Sequence, residues 1–153
     1  MLRPDWDTYF YMMACLVAKR APCLRRQCGA VIVKNKQVLS TGYNGPPRGI
    51  EHCDSRGCIR EQLQIPHGER YEMCYSVHAE ANAIIQAARN GVMIDGSDIY
   101  VTGFPCVMCT RMIINAGIKR VLCKVNTDID RENQEKMFQE AGVELLYLEG
   151  IEN

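Results

Sequence analysis

Two short stretches hold side chains that could do chemistry together: His78-Ala79-Glu80 and, after 24 intervening residues, Pro105-Cys106-Val107-Met108-Cys109. Neutral imidazole nitrogen and thiolate sulfur are ligands that zinc prefers. Three protein ligands leave the fourth tetrahedral position open for water, which is the catalytic rather than the structural arrangement. His78, Cys106 and Cys109 are the expected three. Glu80 is a poor fourth ligand for a closed site but a good carrier of protons. Water activated by such a metal attacks at neutral pH, and one mobile carboxylate can pass its proton to a ring nitrogen and then to a leaving amine. The matching substrate is an amino-substituted, amidine-like carbon, as in cytosine, adenine or guanine, converted to a carbonyl with release of ammonia. A lone Cys-x-x-Cys is more often a pair of core cysteines. The full two-part pattern, each part at the start of a helix, is what argues for a metal.

The elements that must position these groups are legible. Ala81 to Arg89 is rich in Ala with apolar residues at helical spacing, which places His78 and Glu80 in the first turn of a helix. Residues two apart on a helix point about 200° from each other, so His78 can ligate while Glu80 reaches the water from the side. The cysteine pair follows a strand at Ile99-Tyr100-Val101-Thr102 and opens a helix through Met112, Ile113 and Ile114. Amides and the positive dipole end at that helix start favour thiolates.

Asp5 to Lys19 reads as an amphipathic helix with Trp6, Phe10, Met13, Leu16 and Val17 on one face, stopped by Pro22. Cys28 to Val33 reads as a buried strand, Asn35-Lys36 as a turn, and Val38 to Tyr43 as the hairpin partner. Gly42 to Gly49 is a loop by composition, where backbone can approach a ligand closely. Residues 50–77 read as an insertion with little periodicity, holding His52, Cys53, Cys58, His67 and Cys74, and metal is one way to order it. Beyond the cysteine helix come a cap at Ala116-Gly117, a strand over Arg120 to Val125, a helix over Asp130 to Ala141 and a strand over Val143 to Leu148. The order is α-β-β-α-β-α-β-α-β. A hairpin followed by alternating units predicts a mixed five-stranded sheet with helices on both faces, a three-layer α/β/α architecture.

The chain of 153 residues is read as one domain, long enough to bury a core. It is 47% hydrophobic and 24% charged, with formal net charge zero, which argues against a broad electropositive face for long nucleic acid. No stretch approaches about 18 consecutive apolar residues, so no membrane span is expected. Asp5 and Asp7 in the first 20 residues, without a cleavage-site pattern, argue against a secretory signal and for a cytoplasmic protein. Nine cysteines in such a chain suggest metal before disulfide. Cys15, Cys28 and Cys123 fall in apolar elements and read as small buried hydrophobes.

His-Ala-Glu followed by Pro-Cys-x-x-Cys is a signature of the zinc nucleobase deaminases. Together with Cys28-Gly29-Ala30-Val31, Gly42-Tyr43-Asn44-Gly45-Pro46-Pro47-Arg48-Gly49 and Val77 to Ile84, it makes the chain, from about Trp6 to Tyr147, resemble the deoxycytidylate (dCMP) deaminase family. The two metal motifs are shared across the wider superfamily, while the Gly-Tyr-Asn-Gly-x-Pro loop is the more specific part. The resemblance implies a cytidine-deaminase-like fold and zinc-dependent hydrolysis of dCMP to dUMP, feeding thymidylate synthesis. It implies Glu80 as the catalytic acid–base, Asn44 on the deoxyribose or base, and Arg25 or Arg26 on the 5′-phosphate. It also implies a homo-oligomer, often a hexamer, with activation by dCTP and inhibition by dTTP, and Tyr43 and Arg89 as effector or interface contacts. A second, structural zinc would draw on Cys23, Cys53, Cys58 and Cys74, with His52 and His67 as substitutes. The alternatives are a deaminase of transfer RNA adenosine or free cytidine, against which the neutral charge and the specific loop stand. A catalytically inactive zinc-binding interaction module is the other, against which Glu80 stands.

Overall fold

The computed structural model describes residues 2–125, 131–149 and 151. Helix α1 (Trp6–Ala18) starts where the Asp5 carboxylate accepts a hydrogen bond from the Thr8 amide at 2.8 Å, satisfying one of the orphan donors of the first turn. The chain then forms the hairpin β1 (Gly29–Lys34) and β2 (Gln37–Tyr43). Its two turn residues, Asn35 and Lys36, have φ of 50° and 61°, the left-handed backbone that a tight hairpin turn requires. The insertion holds two short helices, α2 (Cys53–Arg56) and α3 (Ile59–Gln62), and a 3₁₀ turn at Tyr71–Met73. Then α4 (Ala79–Arg89), β3 (Asp98–Val101), α5 (Val107–Asn115), β4 (Arg120–Cys123), α6 (Glu132–Glu140) and β5 (Glu144–Tyr147) follow in alternation.

The sheet has the order β2-β1-β3-β4-β5. β1 is antiparallel to both its neighbours, while β3, β4 and β5 run parallel, so the sheet is mixed and five-stranded. One face is covered by α1, whose Phe10, Tyr11 and Ala14 pack on Val31, Val33, Tyr100 and Leu122. The other is covered by α4, α5 and α6, through Ala83, Ile113 and Phe138 against Ile32, Ile99 and Val121. The expected three layers are present.

Two glycines set how closely the helices approach. A Cβ on Gly29 would collide with the α1 backbone at Ala14 and Ala18, and one on Gly42 would collide with the α4 backbone at Ala79 and Ala83. The second contact matters for chemistry because it seats the start of α4, next to His78, against the sheet.

Several boundaries differ from the sequence expectations. The buried face of α1 is Phe10, Tyr11, Ala14 and Ala18, whereas Trp6 and Leu16 are exposed. Cys28 precedes β1 rather than opening it, and β4 ends at Cys123. β3 ends one residue before Thr102, and β5 is shorter at both ends. The expected start of the last helix at Asp130 lies outside the described residues. Residues 50–77 are not structureless. Arg60 is buried there and donates to the carbonyls of Pro66 at 3.3 Å and Glu69 at 2.8 Å, while its guanidinium lies over the Tyr71 ring. Arg56 lies over Tyr75 in the same way. These anchors order the segment without an apolar period.

Candidate active site

Two helix starts meet at one point. His78 is the residue before α4, with φ −67° and ψ 155°, so it stands in extended backbone and not in the first helical turn as the sequence suggested. The 200° helical offset therefore does not govern its angle to Glu80. What holds His78 is a small clasp: Gly45 and Val77 exchange backbone hydrogen bonds at 3.2 and 2.8 Å, and Asn82 donates to the carbonyls of Tyr43 at 2.7 Å and Val77 at 3.3 Å. The Gly-Tyr-Asn-Gly loop thus fixes the histidine. Cys106 is the matching residue before α5, and its sulfur accepts from the Cys109 amide at 3.4 Å.

His78 Nδ1 lies 3.5 Å from both Cys106 Sγ and Cys109 Sγ. Zinc bonds of about 2.3 Å to sulfur and 2.0 Å to nitrogen, at a tetrahedral angle, place those atoms about 3.5 Å apart. The donor set and its spacing fit zinc. Among the described residues, this trio is the one group of His, Cys, Asp or Glu whose ligand atoms all lie within 4.8 Å of one another.

The electrostatics suit the same ion. A hydrogen bond from the Cys109 thiol, with help from His78, pulls Cys106 down to about 4. That same bond, together with burial, pushes the Cys109 thiol up. His78 is pushed up, chiefly by its bond to Cys106. Glu80 is 6% exposed, and burial pushes its carboxyl above the usual carboxylate range. It is near enough to Cys109 for its charge to push that thiol up, yet stands outside the ligand trio. That is the placement of a proton carrier beside a metal. Cys28 and Cys123 are held neutral by burial, raised to about 11 and about 12, in keeping with packing roles.

The trio and Glu80 line a cavity of about 1010 Å³ that runs on to the insertion. Asn44 lines it too, but both ends of its amide are used. Its Oδ1 accepts from the Cys28 amide at 2.8 Å, and its Nδ2 donates to the Arg26 carbonyl at 2.9 Å. Arg25 is turned into the insertion, with Nε 3.4 Å from the Glu61 carboxylate and Nη2 3.2 Å from the Ile65 carbonyl. Arg26 is exposed, and its guanidinium lies across Gly103 at the cavity wall. Tyr43 and Arg89 are exposed and do not line the cavity.

The four cysteines of the insertion region all line the same cavity. Cys53 is raised by burial first and then by the charges of Cys23, Cys74 and Cys58, so the four thiols share one neighbourhood. They do not form a trio at ligating distance. His52 and His67 are exposed, and only His67 lines the cavity. The arginine–tyrosine pairs that order the insertion went unread in the sequence. The alternation of Arg56, Arg60, Tyr71 and Tyr75 was the available signal.

Comparison with known proteins agrees with this geometry. Residues 4–125 match the family model described as the cytidine and deoxycytidylate deaminase zinc-binding region. The chain is 41% identical to the deoxycytidylate deaminase of Mycobacterium phage D29, over 80% of this chain and 96% of the phage protein. It is 38% identical to the deoxycytidylate deaminase of Schizosaccharomyces pombe over 94% of this chain, but spans only 44% of that relative's length. The solved dCMP deaminase of cyanophage S-TIM5, in complex with dCMP and dUMP, superposes with a TM-score of 0.78 at 28% identity, covering 97% of this chain and 100% of that one. A match over most of the chain, centred on the residues that meet at His78, shows that the protein belongs to the cytidine and deoxycytidylate deaminase family.

Proposed function

We propose that this protein hydrolyses dCMP to dUMP and ammonia, one water consumed per turnover. The observation that carries the reading is a buried Glu80 beside, but not within, a His78-Cys106-Cys109 metal trio. Zinc held there supplies the acidification that turns water into a nucleophile at neutral pH. Glu80 accepts one proton from the attacking water and gives it to N3 of the cytosine ring as the C4 carbon becomes tetrahedral; it then takes the second proton from the new C4 hydroxyl and gives it to the departing amine, which leaves as ammonia as the C4 carbonyl forms. Its burial favours the protonated form and so supports the acid half of that cycle.

Arg26 is the phosphate contact in this reading, because Arg25 is already engaged by Glu61 and Ile65. Asn44 acts by holding the Arg26–Cys28 backbone in place beside the base and sugar. The product supplies thymidylate synthesis. The whole of residues 1–153 acts as one deaminase domain in the cytoplasm. No helix among the described residues is long and apolar enough to cross a membrane. Cys23, Cys53, Cys58 and Cys74 take a second, structural zinc, supported by their shared neighbourhood around Cys53. The exposed Tyr43 and Arg89 are left for contacts between copies in a homo-oligomer, a hexamer, or for dCTP and dTTP.

The test is ammonia release from zinc-loaded protein offered dCMP, dCTP, cytidine and a transfer RNA anticodon stem. Preference for dCMP is the expected result. Activity confined to the transfer RNA stem, or none on any of the four, would reject the proposal.

A further inference from the structure

Among the described residues, four buried polar side chains line the cavity: Asn44, Arg60, Glu80 and Gln134. Three have roles already assigned. Asn44 is bonded to the Cys28 amide and the Arg26 carbonyl, Arg60 donates through Nη2 to the carbonyls of Pro66 and Glu69 while its Nε is left without a partner, and Glu80 is the proton carrier beside the metal trio. Gln134 is different. It is 5% exposed, it lines the cavity, and no hydrogen bond joins its carboxamide to any described residue. Its carboxamide is not among the fully buried unpaired polar atoms, so the little surface that Gln134 keeps opens to the cavity, and its hydrogen-bond partner there is water or a ligand.

Packing does not require an amide here. Gln134 stands in the first turn of α6, one helical turn before Phe138, which is 1% exposed in the core. The two share the inward stripe of the helix. An apolar residue at 134 would continue that stripe, so a glutamine departs from the pattern at the one place where the helix meets the cavity. Val101 and Phe104 are buried apolar residues that line the same cavity, and a hydrogen bond in partly apolar surroundings discriminates strongly between ligands.

We infer that Gln134 is a specificity-determining residue whose carboxamide hydrogen-bonds the polar edge of the pyrimidine ring, an inference that rests on the dCMP reading above. With C4 at the metal trio and N3 at Glu80, two polar groups of cytosine remain for another partner: the hydrogens of the exocyclic amine and the 2-oxo group. A carboxamide offers both an acceptor and two donors, and so serves either.

The experiment compares zinc-loaded parent, Gln134→Leu, Gln134→Met and Gln134→Glu by kcat/KM on dCMP. Their Kd for dCMP is measured in a Glu80→Gln background, where binding is read without turnover, and zinc content and melting temperature are recorded for each. The expected result is a loss of about 10- to 100-fold in both affinity and kcat/KM for Leu and Met, with full zinc and a melting temperature at or above the parent's. Gln134→Glu keeps only acceptors. Affinity retained there assigns the contact to the amine, and affinity lost as in Leu assigns it to the 2-oxo group. Leu and Met variants that fold, hold zinc and keep parental affinity overturn the inference. So do Leu and Met variants that both lose zinc and melt early, since the amide would then be structural. A parent that neither binds nor deaminates dCMP rejects the functional reading itself. An active parent with indifferent Gln134 variants rejects only the role of Gln134.

Discussion

Glu80 can carry protons only while it stays off the metal, and its surroundings arrange that. His78, Cys106 and Cys109 take the ligand positions, and Glu80 is left buried beside them. Glu80→Gln is isosteric but cannot shuttle protons. We expect it to keep its zinc, measured by elemental analysis, and to lose about 10²- to 10⁴-fold in kcat on dCMP. Near-parental turnover in metal-replete Glu80→Gln would remove Glu80 from the mechanism. The two arginines separate at the same scale. Arg26→Ala should abolish the preference for dCMP over deoxycytidine, because a charge-assisted contact to phosphate goes with it. Arg25→Ala should keep the preference but melt earlier, since it frees Glu61 and the Ile65 carbonyl of the insertion. Preference lost with Arg25→Ala alone would reverse the assignment.

At the scale of elements, the site is made by two helix starts brought to one point by the sheet. The approach of α4 depends on Gly42, where any side chain meets the backbone of Ala79 and Ala83. Gly42→Ala should destabilise the protein by about 1–3 kcal/mol, as overpacked sites do, and lower zinc occupancy because His78 precedes that helix. An unchanged melting temperature would mean the helix can move away without cost. The same elements show what the sequence could reveal. The mixed sheet, its layers and the trio were legible because hairpin turns, helix caps and metal ligands are local signals. The buried face of α1 was not. Ala14 and Ala18 face the sheet because Gly29 lets the helix backbone approach, and alanines carry little hydrophobic signal beside Leu16 and Trp6, which face outward. Nor was the order in residues 50–77 legible, since Arg60 and Arg56 hold it through carbonyls and tyrosine rings rather than by periodic burial. Gln134 escaped notice for the opposite reason. A polar residue in a helix reads as solvent-facing until the cavity beside it is seen.

Across the whole molecule, the insertion closes the cavity that the deaminase core opens, and the number of metal ions decides how. The trio accounts for three of the nine cysteine and histidine groups that line the cavity or stand beside it: His67, His78, Cys23, Cys28, Cys53, Cys58, Cys74, Cys106 and Cys109. Cys28 is a half-buried thiol held neutral by desolvation and His67 is exposed, which leaves Cys23, Cys53, Cys58 and Cys74 in one neighbourhood. A closed four-ligand zinc contributes folding energy directly, and here it would tie the segment before β1 to the insertion. We expect about two zinc ions per chain in the parent and about one in Cys53→Ser and Cys58→Ser. The catalytic ion should persist in both variants, so kcat should change less than KM, which should rise as the cavity wall loosens. Chelation should act in two steps on the parent and in one on the variants. A parent with one zinc per chain, unchanged in both variants, would mean that these thiols are free. Arg56, Arg60 and their tyrosines would then be what holds the insertion against the site.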